Sequence, residues 1–285
     1  MKKSLFGMLL LSVVASGFAQ AASLNVQAYN ASQHGGIFPV SSELVSGKHD
    51  AILFDAQFDT KNGQNLVDMI KKSGKKLTAI YISGGDPDYY FGLEPIVAAF
   101  PDVKIMASQH VVDHIKATKD AKLAYWGPIL GDGAPEKVFV PQVMDSDKIM
   151  LEGQAIEVKA LDTDDAFLWA PSVKTAFGGV AVSYGLHVWM ADSQTKAARQ
   201  HRIDTMNAMI ALQPERVIPG HFVGSEPEGS KAAVFTRDYI QRFESELAKA
   251  KNSGQLIEAM KKAYPEFPAG GLDIGAKVAT GEMKW

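Results

Sequence analysis

The chain has 285 residues, of which 46% are hydrophobic, and it carries 29 basic residues, 32 acidic residues and no cysteine. A chain with a formal charge of −3 lacks the basic surface that nucleic-acid binding requires, so we predict no nucleic-acid partner. The absence of cysteine excludes disulfides and thiolate metal ligands.

The first 21 residues have the three parts of a secretory signal peptide. Met1-Lys2-Lys3 is the positive start, an apolar run from Leu5 to Val14 follows, and Ala19-Gln20-Ala21 has the small residues of a cleavage site. The apolar run is shorter than the roughly 20 residues that a membrane-spanning helix needs. We predict cleavage after Ala21, a periplasmic or secreted location and no membrane insertion afterwards.

The first half of the mature chain alternates between strand and helix patterns. Residues 37–56 predict two strands joined by a turn at Ser46-Gly47-Lys48. Residues 62–72 predict a helix that Asn62 caps. The elements predicted next are a strand over 77–82, a short helix over 92–99, a strand over 103–107 and a helix over 109–119.

The second half begins with short period-two runs over residues 138–182, which predict the strands of a second sheet. Four further elements are predicted after them: an amphipathic helix over 195–212, a strand that ends in a loop at His221, a long exposed helix over 231–251 and a helix over 255–263. Two sheets with helices outside them predict a layered α/β protein. We expect a single domain over residues 22–285, with C-terminal helices from about residue 229.

One loop carries the clearest functional signal. The strand ending at Ile82 runs into SGGDPDYYFG, which resembles the metal-binding loop of the metallo-β-lactamase fold superfamily, His-x-His-x-Asp-His. In that alignment the four ligand positions hold Gly84, Asp86, Asp88 and Tyr89.

Other segments extend the resemblance over roughly residues 37–225. The opening strands end in an aspartate, Asp55, and VIPGH places His221 at the last histidine position of the superfamily. The segments DTDDAFLWAPS and GLHVWMADS are also similar to family strands and loops. The resemblance implies an αββα four-layer sandwich with its site along one edge, and it implies a hydrolase that uses one or two metal ions, usually zinc.

The resemblance also implies that most metal ligands have been lost. Only Asp88 and His221 are retained unchanged. Gly84 carries no donor atom, and the third histidine position falls near Ala160 or Leu161. The position of the bridging aspartate falls near Gly179-Val180, which cannot bridge two ions.

A paired zinc centre is therefore not expected. The remaining donors, Asp86, Asp88 and His221, with Tyr89 as a further candidate, could hold at most one divalent ion, manganese, iron or zinc. Oxygen-rich donors suit manganese, magnesium or iron better than zinc. The alternative is a site without metal that hydrogen bonds hold together, with Asp88 as a helix cap and Asp86 in a turn.

Two functions follow from these alternatives. In the first, Asp88 and His221 are catalytic residues of an atypical hydrolase that acts on a small ester, lactone or amide. In the second, the protein is a metal-free pseudoenzyme that binds a small molecule in the periplasm. In both, we expect Tyr90, Trp126 and Asp164 to bind the substrate or ligand. A third possibility is a protein that binds a partner through the helix over 231–251, and the oligomeric state is not predicted.

Overall fold

The computed structural model describes residues 23–268 and 271–285. The predicted signal peptide and its cleavage site lie outside the described residues. Within these two ranges, no helix is both long enough and apolar enough to cross a membrane.

The first sheet has six strands in sequential order. Its first three strands pair antiparallel, and the next pairings are parallel, because helices connect those strands. The strands are β1 (Asn25–Asn30), β2 (Ser41–Ser46), β3 (Asp50–Phe54), β4 (Lys76–Ile82), β5 (Lys104–Ala107) and β6 (Gln142–Val143).

The second sheet has five strands in the order β12-β10-β9-β8-β7, and two further short strands form a small parallel pair, β11 with β13. The antiparallel strands follow one another through short connections, whereas β12 joins in parallel beside β10. The strands are β7 (Lys148–Leu151), β8 (Gln154–Lys159), β9 (Phe167–Ala170), β10 (Thr175–Phe177), β11 (Ser183–Tyr184), β12 (Arg216–Val217) and β13 (His221–Phe222).

Eight α-helices flank the sheets in the described residues, and the longer ones mostly begin at a residue whose side chain caps the first turn. They are α1 (Thr60–Ser73), α2 (Pro87–Tyr90), α3 (Leu93–Ala99), α4 (Gln109–Leu130), α5 (Lys196–Ala211), α6 (Lys231–Leu247), α7 (Ser253–Ala263) and α8 (Leu272–Ala279).

The two sheets pack face to face, and helices cover their outer faces. Apolar side chains of both sheets, such as Phe54 and Leu168, form one core between the sheets. A second core joins the first sheet to α1, α3 and α4, and a third joins the second sheet to α5 and α6. This order of layers is the αββα sandwich that was predicted, so the fold class is confirmed.

Most predicted elements are confirmed, but their ends differ. Helix α1 begins two residues earlier because Asp59, and not Asn62, caps it. Helix α4 continues past residue 119, through Pro128, to Leu130, and it ends where Gly131, with φ +54°, forms the C-cap. Strand β1 and helix α8 were not predicted, and α6 is not fully exposed, since Tyr239 and other side chains on one face are buried.

Candidate functional site

Several strand ends and loops meet along one edge of the sandwich. Strand β4 ends at Ile82 and leads through Ser83–Asp86 into the short helix α2, which carries Asp88 and Tyr89. Strand β13 brings His221 to the same edge, although it lies 133 residues further along the chain than Asp88. The fold therefore brings Asp88 and His221 to the same edge.

Asp88 and His221 form a hydrogen-bonded pair. Nε2 of His221 lies 2.7 Å from Oδ2 of Asp88, and the side chains are 15% and 12% exposed. The ring of Tyr89 contacts His221 edge to face, with the ring centres 6.0 Å apart. The two donors that the superfamily pattern retains are thus in contact, but each already has the other as its partner.

Asp86 points to a different partner. Its carboxylate accepts a hydrogen bond from Nζ of Lys122 on α4 at 2.5 Å, and the same Nζ lies 3.0 Å from Nε2 of His114. Asp86 precedes α2 but its side chain does not cap the helix, and Asp88 lies inside α2. Asp88 therefore does not have the helix-capping role that was considered for it, whereas the carbonyl oxygen of Asp86 accepts from the amide of Tyr89 in the turn that opens α2.

The first ligand position has no room for a side chain. A Cβ atom added to Gly84 would lie 2.6 Å from the ring of Tyr89, much closer than carbon atoms normally approach. Tyr89 itself is 1% exposed. A histidine at position 84 therefore requires the Tyr89 ring to move.

The bridging position is closed by backbone. Gly179 has φ +73°, and a Cβ atom there would lie 2.2 Å from the carbonyl oxygen of Ala166. Its own carbonyl oxygen would lie 1.8 Å from a Cβ atom on Gly220. Because these neighbours are main-chain atoms, they cannot rotate away to admit an aspartate.

A buried chain of hydrogen bonds ties three loops together behind the site. Asp55 accepts from the amide of Ser83 at 2.7 Å and from its hydroxyl at 2.5 Å, and the Ser83 oxygen accepts from the amide of Gly179 at 2.8 Å. Burial raises the pKa of Asp55 to about 7, although the hydrogen bonds from Ser83 act in the opposite direction. The carboxyl group therefore gives up its proton near neutral pH.

The acidic loop after β8 is held by two helices. Asp164 lies 2.8 Å from Nε2 of His110 on α4, and Asp165 lies 2.8 Å from Nδ1 of His201 on α5. Asp162 is exposed and has no hydrogen-bond or ion-pair partner among the described residues. The cluster therefore divides into two structural anchors and one free carboxylate.

Beside these residues lies a cleft with two lobes. The wide lobe is open and has a volume of about 290 Å³, and the narrow lobe has a volume of about 20 Å³, which is room for about one water molecule. The lobes share four lining residues: His110, Thr163, Asp164 and Val180. Neither Asp88 nor His221 lines either lobe.

The structure places two of the three predicted ligand-binding residues elsewhere. Tyr90 is 1% exposed and packs in the core below the first sheet. Trp126 lies on α4 and packs edge to face against Phe38 and Phe58. The prediction that Tyr90 and Trp126 form the walls of a pocket is therefore corrected. Helix α4 extends past Trp126 and turns its indole towards the core. Asp164 does line the cleft, and its role in binding stays a prediction.

Some cleft residues were not predicted from the sequence. Arg202 lines the wide lobe and Lys122 binds Asp86, and neither has a motif around it in the sequence; His110, His114 and His201 show no ligand spacing together. The spacing of His110 and His114 placed them on one helix face, which is correct, but the spacing does not show that this face borders the site. The sequence feature that could have indicated that this face borders the site is that α4 follows directly after β5.

The residues present do not fit a metal centre. Among residues 23–268 and 271–285, no three histidine, aspartate or glutamate side chains come together in an arrangement that could hold a metal ion. The predicted set of Asp86, Asp88 and His221 is not assembled, because Asp86 binds Lys122 while the other two bind each other.

The Asp88–His221 pair leads to a prediction about stability. His221→Ala is expected to lower the free energy of unfolding by about 3 kcal/mol, because it leaves a buried carboxylate without a partner. The double variant Asp88→Asn/His221→Ala should recover part of this loss, since no charge remains buried. Urea titrations at neutral pH measure both values. Equal losses in the two variants would contradict the pairing.

Solved structures similar to this one include several metallo-β-lactamases. A metallo-β-lactamase from Pontibacter korlensis matches with 18% identity over 78% of this chain and 96% of that chain, at a TM-score of 0.55. A metallo-β-lactamase family protein from Thermus thermophilus matches with 14% identity over 91% of this chain and 93% of that chain, at 0.58. The DIM-1 metallo-β-lactamase matches with 17% identity over 78% of this chain and 99% of that chain, at a TM-score of 0.52. No family model matches the chain, and no curated protein matches its sequence.

Proposed function

The chain has the metallo-β-lactamase fold, and from this premise we propose that it is an exported protein that binds a small molecule without a metal ion. Export is supported by the signal-peptide pattern at the start of the sequence. Binding is supported by the position of the cleft, because folds of this kind place their sites in loops at strand ends.

One observation carries the proposal. The remaining candidate metal ligands are already paired with other side chains of the protein, while an open cleft lies beside them. Asp88 binds His221, and Asp86 binds Lys122. A metal ion would have to break both contacts, and it would gain few new donors. A small organic molecule can enter the cleft of about 290 Å³ with both contacts intact.

The test measures metal content and thermal stability together. We expect the mature chain, purified without a histidine tag, to contain substoichiometric zinc, manganese and iron. Added Zn²⁺, Mn²⁺ or Fe²⁺ should leave the melting temperature unchanged, because a ligand stabilises a protein only when it binds the folded state. A thermal-shift screen in the presence of EDTA should identify small molecules that raise the melting temperature.

Asp88→Asn is the variant that separates the two alternatives. If the cleft works without metal, the variant should bind the molecules found in the screen as well as the parent chain does. A bound metal at full occupancy, or ligand binding that EDTA abolishes, would overturn the proposal.

A second function, hydrolysis of a small ester, lactone or amide, is favoured by the Asp88–His221 pair itself. A carboxylate that orients an imidazole is a known general-base arrangement, in which the ring takes a proton from the attacking water. We expect any such activity towards p-nitrophenyl acetate to persist in EDTA and to disappear in His221→Ala. This function ranks second because His221 does not line the cleft.

A further inference from the structure

The charges around the cleft are strongly unequal. Its lining contains five aspartates and three histidines, and only one permanently charged cation, Arg202. The aspartates are Asp86, Asp162, Asp164, Asp165 and Asp192. Lys122, which lines neither lobe, pairs with Asp86, so four aspartates remain against one guanidinium group and the lining carries excess negative charge.

Arg202 is not available to bind an anion. Its guanidinium group is buried and donates to the carbonyl oxygens of Val180, Ala181 and Trp189 at 2.7–3.1 Å. It also lies 3.9 Å from Asp165. Arg202 thus supports the wall of the cleft, and its donors are used by the protein itself.

Two acceptors remain for a ligand. Asp162 is exposed at the wide lobe and has no partner among the described residues. Tyr89 lines the narrow lobe and is 1% exposed, and its hydroxyl has no hydrogen-bond partner within the described part of the chain. A buried polar group without a partner is costly, so a bound ligand that supplies the missing hydrogen bond would be stabilised there.

The chemistry of this hydroxyl is that of a neutral phenol. The ordinary pKa of a tyrosine hydroxyl is about 10, so this group is uncharged at neutral pH. A neutral phenol oxygen accepts a hydrogen bond from an N–H group. The cleft therefore offers negative charge at its wide lobe and an uncharged acceptor at its narrow lobe.

We infer that the cleft binds a small organic cation with a primary ammonium group, held by the carboxylate of Asp162 at the wide lobe and the hydroxyl of Tyr89 at the narrow lobe. This inference rests on the proposed function, since it names the ligand class of the same metal-free cleft. Charge complementarity of this kind selects a ligand mainly by excluding molecules of the wrong sign.

The experiment compares three four-carbon molecules that differ in charge. Calorimetric titrations use 1,4-diaminobutane, 1,4-butanediol and succinate, all at pH 7.5 in EDTA. Of these three we expect only the diamine to bind, and to bind more weakly at higher salt because screening reduces the attraction. Agmatine, which has a primary ammonium group at one end and a guanidinium group at the other, is included as a second cation and should also bind.

Variants locate the binding. Asp162→Asn and Tyr89→Phe should each weaken diamine binding by about ten-fold, as expected when one hydrogen bond to a charged group is lost. Asp68→Asn removes the same charge from an exposed position on α1, a helix that contributes no residue to either lobe, and should leave the affinity unchanged. Asp162 is exposed, so its replacement tests the inference even if Tyr89→Phe folds poorly.

The outcomes separate this inference from the proposed function. Binding of succinate in preference to the diamine, or binding of neither cation, would overturn the assignment of a cationic ligand. In both cases, metal-free binding of another molecule found in the thermal-shift screen would still support the proposed function. Diamine binding that requires added metal would instead overturn the metal-free function.

Discussion

Gly179→Ala is expected to lower the free energy of unfolding by about 3 kcal/mol or more. A residue with a side chain at positive φ costs about 1–2 kcal/mol, and at Gly179 the added Cβ would also lie 2.2 Å from the carbonyl oxygen of Ala166. The matched control is Gly224→Ala. Gly224 has φ +83°, but nothing lies within 4 Å of an added Cβ atom.

The difference in the free energy of unfolding between the two variants measures the cost of the close contact between the added Cβ atom and the carbonyl oxygen of Ala166. Gly224→Ala should cost only about 1–2 kcal/mol, which is the conformational cost alone. Urea titrations of both variants measure the difference. Equal losses would show that the loop around Gly179 adjusts freely, and an aspartate could then be placed there. If the losses differ as expected, the close approach of the Ala166 carbonyl oxygen opposes any side chain at position 179.

Asp55→Asn is expected to reduce the pH dependence of stability between about pH 4 and pH 7. The folded-state pKa of Asp55 is about 7, against an ordinary value of 3.8. The folded chain therefore binds a proton more tightly than the unfolded chain. This contribution to stability is fully present below about pH 4 and is lost as the pH rises through 7.

The loss amounts to a few kcal/mol, since each pKa unit corresponds to about 1.4 kcal/mol. An asparagine at position 55 has no proton to lose, and its side chain can still accept from the amide of Ser83 and donate to its hydroxyl oxygen. We therefore expect the variant to be folded and to show a flatter profile of melting temperature against pH. Asp113→Asn, at an exposed position, is the control and should keep the profile of the parent chain.

A second buried acid, Glu43, limits how flat the profile becomes. Burial raises its pKa well above the ordinary value, the charge of Asp55 raises it further, and Ser41 and Arg216 oppose the shift. Neither of its carboxyl oxygens has a hydrogen-bond partner among the described residues. Part of the pH dependence should therefore remain in Asp55→Asn and disappear when Glu43→Gln is added. An unchanged profile in the double variant would contradict both assignments.

The sequence by itself determined a layered α/β protein, and the resemblance of its loops implied the αββα order of the layers. Alternating apolar patterns predict strands and helices because each element buries one face, and the SGGDPDYYFG loop identified the edge where they meet. The absence of donor atoms at Gly84 and Gly179 follows from residue type alone. The resemblance implied that Asp88 and His221 belong to one site, and the structure brings the two side chains into contact.

Only the tertiary structure decided how the remaining polar groups are used. Asp86 binds Lys122, and Asp164 and Asp165 bind histidines on two helices. These contacts join residues 36 to 54 positions apart. Local patterns cannot encode them, because they depend on how α4 and α5 cross the edge of the sandwich. The same packing placed the partly buried Trp126 against the core and left the Tyr89 hydroxyl without a partner in the described part of the chain.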